Sequence, residues 1–249
     1  MKILATLGDV ALFSFALIRA ITMHGVSGAA VMEEAYRIGI KSLTILIVLN
    51  FFIGSNLAIQ GYNAFLPLGG QRLVGLFVAL AGVRELAPII AASMVAAKAG
   101  TEMASQLGVM RITQQLDALE VMAISPLAHV VAPRLLGILL VMPALVLIAI
   151  ATTLASGYLT SVYQLGLSGQ TFLELAGQGI HGMDAVYAII KAWVFGLLIC
   201  VLSCYNGFNC PSGPEGVGKA TNRAVVSSAV AVVIANYFLS ELLYGGSGL

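Results

Sequence analysis

The sequence predicts an all-α integral membrane protein with five transmembrane helices, an N-terminal interfacial helix and a short cytoplasmic helix. Two observations predict this fold class. Of the 249 residues, 59% are hydrophobic and only 9% are charged, whereas about 25% of the residues in soluble domains are charged. Five apolar windows also reach the length of about 20 residues that a helix needs to cross a bilayer. They are residues 40–59, 73–97, 135–159, 186–205 and 224–243.

The N-terminal stretch, residues 3–23, is less apolar because Asp9, Ser14 and Arg19 interrupt it. We interpret it as a helix lying in the membrane interface, with a sixth span as the alternative. No small-residue cleavage site follows, so we expect no cleavable signal peptide. The prediction is one domain over residues 1–249, with an interfacial region at 1–39 and a transmembrane core at 40–245.

Lysine and arginine are distributed unevenly between the two sides of these spans. One side has only Arg72, and its loop at 160–183 has neither residue type. Short cytoplasmic loops carry an excess of Lys and Arg, which predicts a cytoplasmic N-terminus and an external C-terminus. Without a transit segment, a bacterial inner membrane is the expected location. The cytoplasmic side then carries Lys2, Arg19, Arg37, Lys41, Lys98, Arg111, Arg134, Lys219 and Arg223.

Two adjacent charges, Arg84 and Glu85, lie near the centre of the second window. Charges at that depth are costly and usually face a bundle interior or a wet cavity. Adjacent helix residues point about 100° apart, so each needs its own partner, and Lys191 in the fourth window is the candidate for Glu85. Pro88 should bend the helix or free a carbonyl at the same depth. A structural ion pair and a substrate path are both open interpretations.

A stripe of small residues continues from the second window. Small residues that recur every four positions let helix backbones approach closely in membranes. The stripe predicts tight packing against a neighbouring helix; its members are Ala92, Ala96, Gly100, Ala104 and Gly108.

A short amphipathic helix is predicted between Arg111 and Pro126. Thr113 is a reasonable N-cap, and Ser125-Pro126 ends the element. The helix either rests on lipid or docks a cytoplasmic partner such as an ATPase. Its apolar stripe is Ile112, Leu116, Leu119 and Ala123, and its other faces carry Gln114, Gln115, Asp117 and Glu120.

The stretch GPEGVGKA at residues 213–220 matches the phosphate-binding pattern G-x-x-x-x-G-K-[ST] at every position except the last. Ala220 stands where a Mg²⁺-binding hydroxyl is needed, and apolar spans flank the stretch instead of the strand and helix of an α/β domain. We interpret it as a glycine-rich cytoplasmic turn into the fifth span. The three cysteines and three histidines form no metal-ligand or catalytic pattern, and a net charge of +1 does not suggest nucleic acid.

Two long stretches resemble one protein family. They are LAGVRELAPIIAASMVAAKAGTEMASQLGVMRITQQLDALEVMAISPLAHVVAPRLLG and YNGFNCPSGPEGVGKATNRAVV. Both are similar to the MlaE/YrbE family, the permease subunits of MCE-type ABC transporters. Together they cover about a third of the chain, and the order of the spans extends the similarity across nearly all of it.

The resemblance implies a homodimeric permease that moves phospholipids between the inner membrane and an outer envelope layer. It implies cytoplasmic ATPase subunits that hold the ATP and Mg²⁺, a ring of MCE-domain proteins on the outer side, and no cofactor on this chain. Arg84, Glu85 and Lys191 match charged family positions near the lipid cavity. The segment from Gln114 to Glu120 matches the coupling helix, so its candidate docking residues are Gln114, Gln115, Asp117, Leu119 and Glu120.

The chain departs from the family pattern at two of these positions. Gln114 stands where the family usually has a glutamate, which changes the expected contact with the ATPase. Asn236, which we include in the substrate cavity, replaces an acidic residue of the last helix. The rival hypothesis is an ion-coupled secondary transporter in which Arg84, Glu85 and Lys191 relay ions. A membrane scaffold without a transport role is a third.

Overall fold

A computed structural model describes residues 2–245, with side chains described for 8–23 and 25–245. The Lys2 side chain and residues 246–249, both used in the topology prediction, lie outside the described part. Residues 2–245 contain no strand. Their α-helices are α1 (Lys2–His24), α2 (Gly28–Phe65), α3 (Val74–Phe77), α4 (Ala87–Val95), α5 (Thr101–Ile112), α6 (Gln115–Val121), α7 (Ala132–Leu159), α8 (Gly169–Gly179), α9 (Gly182–Phe208) and α10 (Pro214–Tyr244).

Five helical runs in the described residues are long and apolar enough to cross a membrane, as predicted. Each is longer than its apolar window, because the helix continues through polar turns at the ends. The second run joins α3, α4 and α5 through two π-helical segments, Val78–Leu86 and Ala96–Gly100. The five runs are Gly28–Leu68, Gln71–Ile112, Leu127–Gln164, Gly182–Phe208 and Pro214–Tyr244.

The contacts divide the chain into two compact units. The first unit contains the described residues up to Ser42, with Val95–Met142 and Val194–Val233. The second contains Leu43–Met94, Pro143–Trp193 and the described residues from Ile234 onwards.

In the first unit, α1 packs one face on α9. The Phe13 ring lies 5.8 Å from that of Tyr205 and 6.0 Å from that of Phe208, while Leu12 and Phe15 are exposed. An apolar face left uncovered by protein is compatible with a helix in the membrane interface. Whether α1 spans or lies flat stays a prediction.

The predicted stripe of small residues is buried along its whole length. A Cβ added to Gly100 would lie 2.7 Å from the Ser203 hydroxyl oxygen, and one added to Gly207 would lie 2.7 Å from the Ala104 carbonyl oxygen. Small residues on both helices therefore let α5 and α9 pack with their backbones nearly in contact.

The core of the second unit lies beneath α8, a helix that hydropathy windows did not reveal. Phe172 of α8 is buried with Leu57, Val74 and Val78. Gly75 faces the Phe172 carbonyl, which an added Cβ would approach to 2.5 Å. This close packing holds α8 on α3, near the start of the second helical run.

The predicted glycine-rich turn is shorter than expected. Only Gly213 has the left-handed backbone, with φ +90, and α10 begins at Pro214, so Gly216 and Gly218 are helical. Proline suits the first turn of a helix because an N–H group at that position has no acceptor within the helix, so its absence costs nothing. Lys219 pairs with Glu215 at 2.7 Å on the exposed surface of α10.

Candidate functional site

The candidate cavity residues Arg84, Glu85, Lys191 and Asn236 come together within the second unit. Arg84 and Glu85 lie in the π-helical segment Val78–Leu86, a helix form that often marks functional positions. Pro88 has no N–H, so one carbonyl of the preceding turn loses its backbone donor. The Arg84 carbonyl in that turn accepts a hydrogen bond from Lys191 Nζ at 2.8 Å.

Lys191 is completely buried, with 0% of its side chain exposed. Its ammonium also donates to Ser240 Oγ at 2.7 Å and lies 3.6 Å from Glu85 Oε1. The ammonium thus has two hydrogen bonds and one ion pair inside the protein. The ion pair between Glu85 and Lys191 is the pairing predicted from sequence.

Asn236 holds the other oxygen of the Glu85 carboxylate. Its Nδ2 donates to Glu85 Oε2 at 2.8 Å. Its Oδ1 is buried and has no hydrogen-bond donor among the described residues. The carboxylate is thus fixed from α9 and α10, and one buried acceptor is left unsatisfied beside it.

Arg84 has a separate partner, Asp184, that sequence reasoning missed. Arg84 Nε lies 3.1 Å from Asp184 Oδ1 without the alignment of a hydrogen bond, and Arg84 Nη2 donates to Oδ2 at 3.3 Å. The His181 amide donates to the same Oδ2 at 2.8 Å. Asp184 precedes Lys191 by about two helical turns, and this spacing on one helix face was the available signal.

Two further residues of α10 complete the cluster and were also missed. Ser240 accepts from Lys191, and the Tyr244 ring lies 5.1 Å from both Arg84 Cζ and Lys191 Nζ, within cation–π range. Asn236, Ser240 and Tyr244 recur every four residues, so they share one face of α10. That spacing could have identified them.

The four charges of the cluster balance, because Arg84 and Lys191 face Asp184 and Glu85. Their exposure differs sharply. Glu85 is 41% exposed, Arg84 25%, Asp184 4% and Lys191 0%. Glu85 therefore has the most exposed charged side chain of the cluster, and the arrangement suits recognition of a polar group.

The predicted cytoplasmic helix is present as α6, with different ends. Thr113 is not its N-cap: the Thr113 hydroxyl donates back to the Val109 carbonyl at 2.8 Å, so it ends α5 instead. Gln114 occupies the N-cap position with φ 59, a conformation unusual for a residue other than glycine. The helix ends at Val121, before Ala123 at φ 59 and before the predicted Ser125-Pro126 stop.

The docking candidates lie on the accessible side of α6. Leu116 is buried and anchors the helix, whereas Leu119 is half-buried. Asp117 Oδ1 pairs with Arg111 Nη1 at 2.6 Å on the surface. Val121 and Met122 are also exposed and add an apolar edge. The exposed candidates are Gln114, Gln115, Asp117 and Glu120.

A polar network that sequence reasoning missed ties together the helices on either side of α6. Gln106 of α5 accepts from Arg134 of α7 at 3.0 Å and from Arg37 of α2 at 3.2 Å. The Arg134 guanidinium is buried and also donates to the Met103 carbonyl at 3.2 Å. We call this set the Gln106 network; its other members are Glu34, Lys41 and Glu102.

The two carboxylates of the Gln106 network pair with its three cations, which leaves one positive charge in excess. Glu34 pairs with Arg37 at 2.6 Å and lies 3.7 Å from Arg134. Glu102 pairs with Lys41 at 2.9 Å and accepts from Gln106 Nε2 at 3.2 Å. Because α5 and α7 flank α6 in the chain, this network fixes the two ends of the loop that carries α6.

Among the described side chains, those of residues 8–23 and 25–245, no three His, Cys, Asp or Glu groups are placed to hold a metal ion. The Cys200 and Cys204 thiols lie 3.9 Å apart in the interior. Cys210 follows α9, and burial raises the pKa of its thiol.

Comparison with known proteins identifies the family. The family model described as Permease MlaE matches residues 31–242. A probable ABC transporter permease protein of Rickettsia typhi is 34% identical over 243 residues, which are 98% of this chain and 94% of that protein.

Two further relatives come from other organisms. The intermembrane phospholipid transport system permease protein MlaE of Haemophilus influenzae is 31% identical over 86% of this chain and 82% of its own length. The chloroplastic protein TRIGALACTOSYLDIACYLGLYCEROL 1 of Arabidopsis thaliana is 35% identical over 87% of this chain and 62% of its own length. The chain therefore belongs to the MlaE permease family and is a membrane-embedded transport subunit.

Proposed function

We propose that this chain is the membrane-spanning permease of an ABC transporter that moves phospholipids, driven by a separate ATPase subunit. The Haemophilus influenzae relative is named for intermembrane phospholipid transport, and the Rickettsia typhi relative for an ABC transporter. A charged cluster inside the spans supplies the site at which a polar headgroup would bind.

The exposure of Glu85 is the observation that carries this proposal. A carboxylate exposed to hydrocarbon inside a membrane span is costly, and such residues normally face a protein interior or a water-filled path. Lys191 and Asn236 contact Glu85 from one side only, leaving 41% of its side chain open. The open side therefore faces a polar space or a headgroup in the membrane.

The energy source is proposed to lie on another chain. We expect this chain to bind no cofactor and its partner to hold ATP and Mg²⁺. The stretch GPEGVGKA supports this view, since residues 214–220 are helical and Lys219 is paired with Glu215. The exposed surface of α6 is the proposed docking site for the ATPase.

The remaining assembly is proposed from the family resemblance and the Lys/Arg distribution. A second copy of this chain forms the homodimer, and a ring of MCE-domain proteins lies on the outer side. The location is the bacterial inner membrane, with the N-terminus in the cytoplasm and the C-terminus in the periplasm.

Reconstitution separates this function from that of an ion-coupled secondary transporter. Proteoliposomes carry a fluorescent phospholipid and either this chain alone or the chain with its ATPase. We expect lipid transfer only with the ATPase and hydrolysable ATP. Transfer by the chain alone down an imposed proton or sodium gradient would establish the secondary transporter instead.

A further inference from the structure

We propose that Glu85 and Asn236 select phospholipids whose headgroup carries a primary ammonium over those whose headgroup carries only hydroxyls. This inference rests on the proposed function and names the substrate class of the same site. The basis of the inference is the contrast between the groups of the cluster that are bonded within the protein and those that can still bind a substrate.

The cations of the cluster are already engaged by the protein. Lys191 donates to Arg84 O and to Ser240 Oγ, its ammonium pairs with Glu85 at 3.6 Å, and none of its side chain is exposed. Arg84 faces Asp184 at 3.1 Å. Asp184 and Glu85 already balance the charges of these two cations. The cluster therefore offers no uncompensated positive charge to the phosphate of a lipid headgroup.

The hydrogen-bonding positions that Glu85 and Asn236 leave open are acceptors. Each oxygen of the Glu85 carboxylate has one donor nearby, whereas a carboxylate offers about four lone-pair positions. Asn236 is 8% exposed, and its buried Oδ1 has no donor among the described side chains and backbone. A buried acceptor without a donor is costly, and a donor supplied by the substrate removes that cost.

A primary ammonium is complementary to both the Glu85 carboxylate and the Asn236 amide oxygen. It brings three N–H donors and a positive charge to the most accessible carboxylate. A quaternary ammonium brings the charge without N–H donors, and a glycerol headgroup brings weaker donors and no cation. The order of preference expected from Glu85 is ethanolamine, then choline, then glycerol.

Equilibrium binding tests this order without depending on transport. A spin-labelled phosphatidylethanolamine is bound to the purified complex and displaced by unlabelled lipids with identical acyl chains. We expect phosphatidylethanolamine to displace it about tenfold more strongly than phosphatidylglycerol, the size of one charge-assisted hydrogen bond. Free phosphoethanolamine should not displace it, because the chains contribute to binding.

Glu85→Gln keeps the size of the side chain and removes its charge. The ratio of displacement by phosphatidylethanolamine to displacement by phosphatidylglycerol should therefore fall to about one. The matched control is Glu174→Gln, since Glu174 is an exposed carboxylate that also accepts from a neighbouring amide, that of Gln170 at 3.0 Å; it should keep the wild-type ratio. Equal displacement by the two lipids in the wild type, an unchanged ratio in Glu85→Gln, or displacement by free phosphoethanolamine would overturn the inference. A complex that binds with this preference but shows no ATP-dependent transfer would contradict the proposed function alone.

Discussion

At the scale of single residues, side chains placed by distant parts of the chain decide the chemistry of the cluster. Arg84 and Glu85 are neighbours, yet their partners Asp184 and Lys191 lie about 100 positions further along. The Glu85–Lys191 pair could be predicted because both charges stand out in apolar windows. Ser240 and Tyr244 have no charge that stands out in this way, and only their four-residue spacing from Asn236 could have identified them.

Two helical glycines, one at a close helix contact and one in open space, should respond to substitution in opposite directions. In Gly207→Ala the new Cβ meets the Ala104 backbone at 2.7 Å, so we expect a loss of about 1–3 kcal/mol from overpacking. Gly218 has nothing within 4 Å of an added Cβ, and Gly218→Ala should gain about 0.5–1 kcal/mol from helix propensity. Thermal unfolding in detergent measures both; a higher Tm for Gly207→Ala would contradict the packing.

At the scale of elements, α6 could be predicted from its amphipathic spacing, but its boundaries could not. The Thr113 hydroxyl donates a hydrogen bond back to the Val109 carbonyl of α5. Thr113 therefore does not act as the N-cap of α6. The left-handed backbone of Gln114 is imposed by the turn between α5 and α6. No sequence rule assigns a positive φ to a glutamine.

Charge reversal on α6 should prevent docking of the ATPase. We expect Asp117→Lys combined with Glu120→Lys to insert normally but to lose co-purification of the ATPase subunit, because two exposed carboxylates become cations. Glu174→Lys on α8 is the matched control and should keep the ATPase. If the double variant pulls down as much ATPase as the wild type, α6 is not the docking element.

Removing the side chain shared by the Gln106 network should destabilise the protein. Gln106→Leu deprives buried Arg134 and partly buried Arg37 of an acceptor, which costs about 1–3 kcal/mol when a charged donor is left unpaired. Gln60→Leu, which removes an exposed glutamine bonded to Asn56, should have little effect. Equal Tm values for the two variants would show that the network contributes no stability.

At the scale of the whole molecule, hydropathy and length were sufficient for the number and order of the spans. Both depend on local composition, which a window measures directly. The assignment of α8, the Gln106 network and the two packing units depends on contacts between segments far apart in sequence. Patterns within one helix contain no information about which distant helix will pack against it.

The proposed orientation can be tested by cysteine labelling in a background without Cys200, Cys204 and Cys210. A membrane-impermeant maleimide should label a single cysteine at position 174 in spheroplasts with an intact inner membrane. It should label one at position 120 only after that membrane is permeabilised. The reverse pattern would place the N-terminus and α6 on the outer side.

The central claim is that the charged cluster binds substrate and does more than hold helices together. The most direct measurement is ATP-driven lipid transfer by Lys191→Met, Glu85→Gln and the double variant, with Tm recorded for each. Neutralising both members of a structural ion pair is often harmless, whereas removing one is not. We predict that the double variant regains the wild-type Tm but transfers lipid at least about tenfold more slowly, the loss of one charge-assisted hydrogen bond. Full transfer by the double variant would contradict the account and leave the pair a structural one.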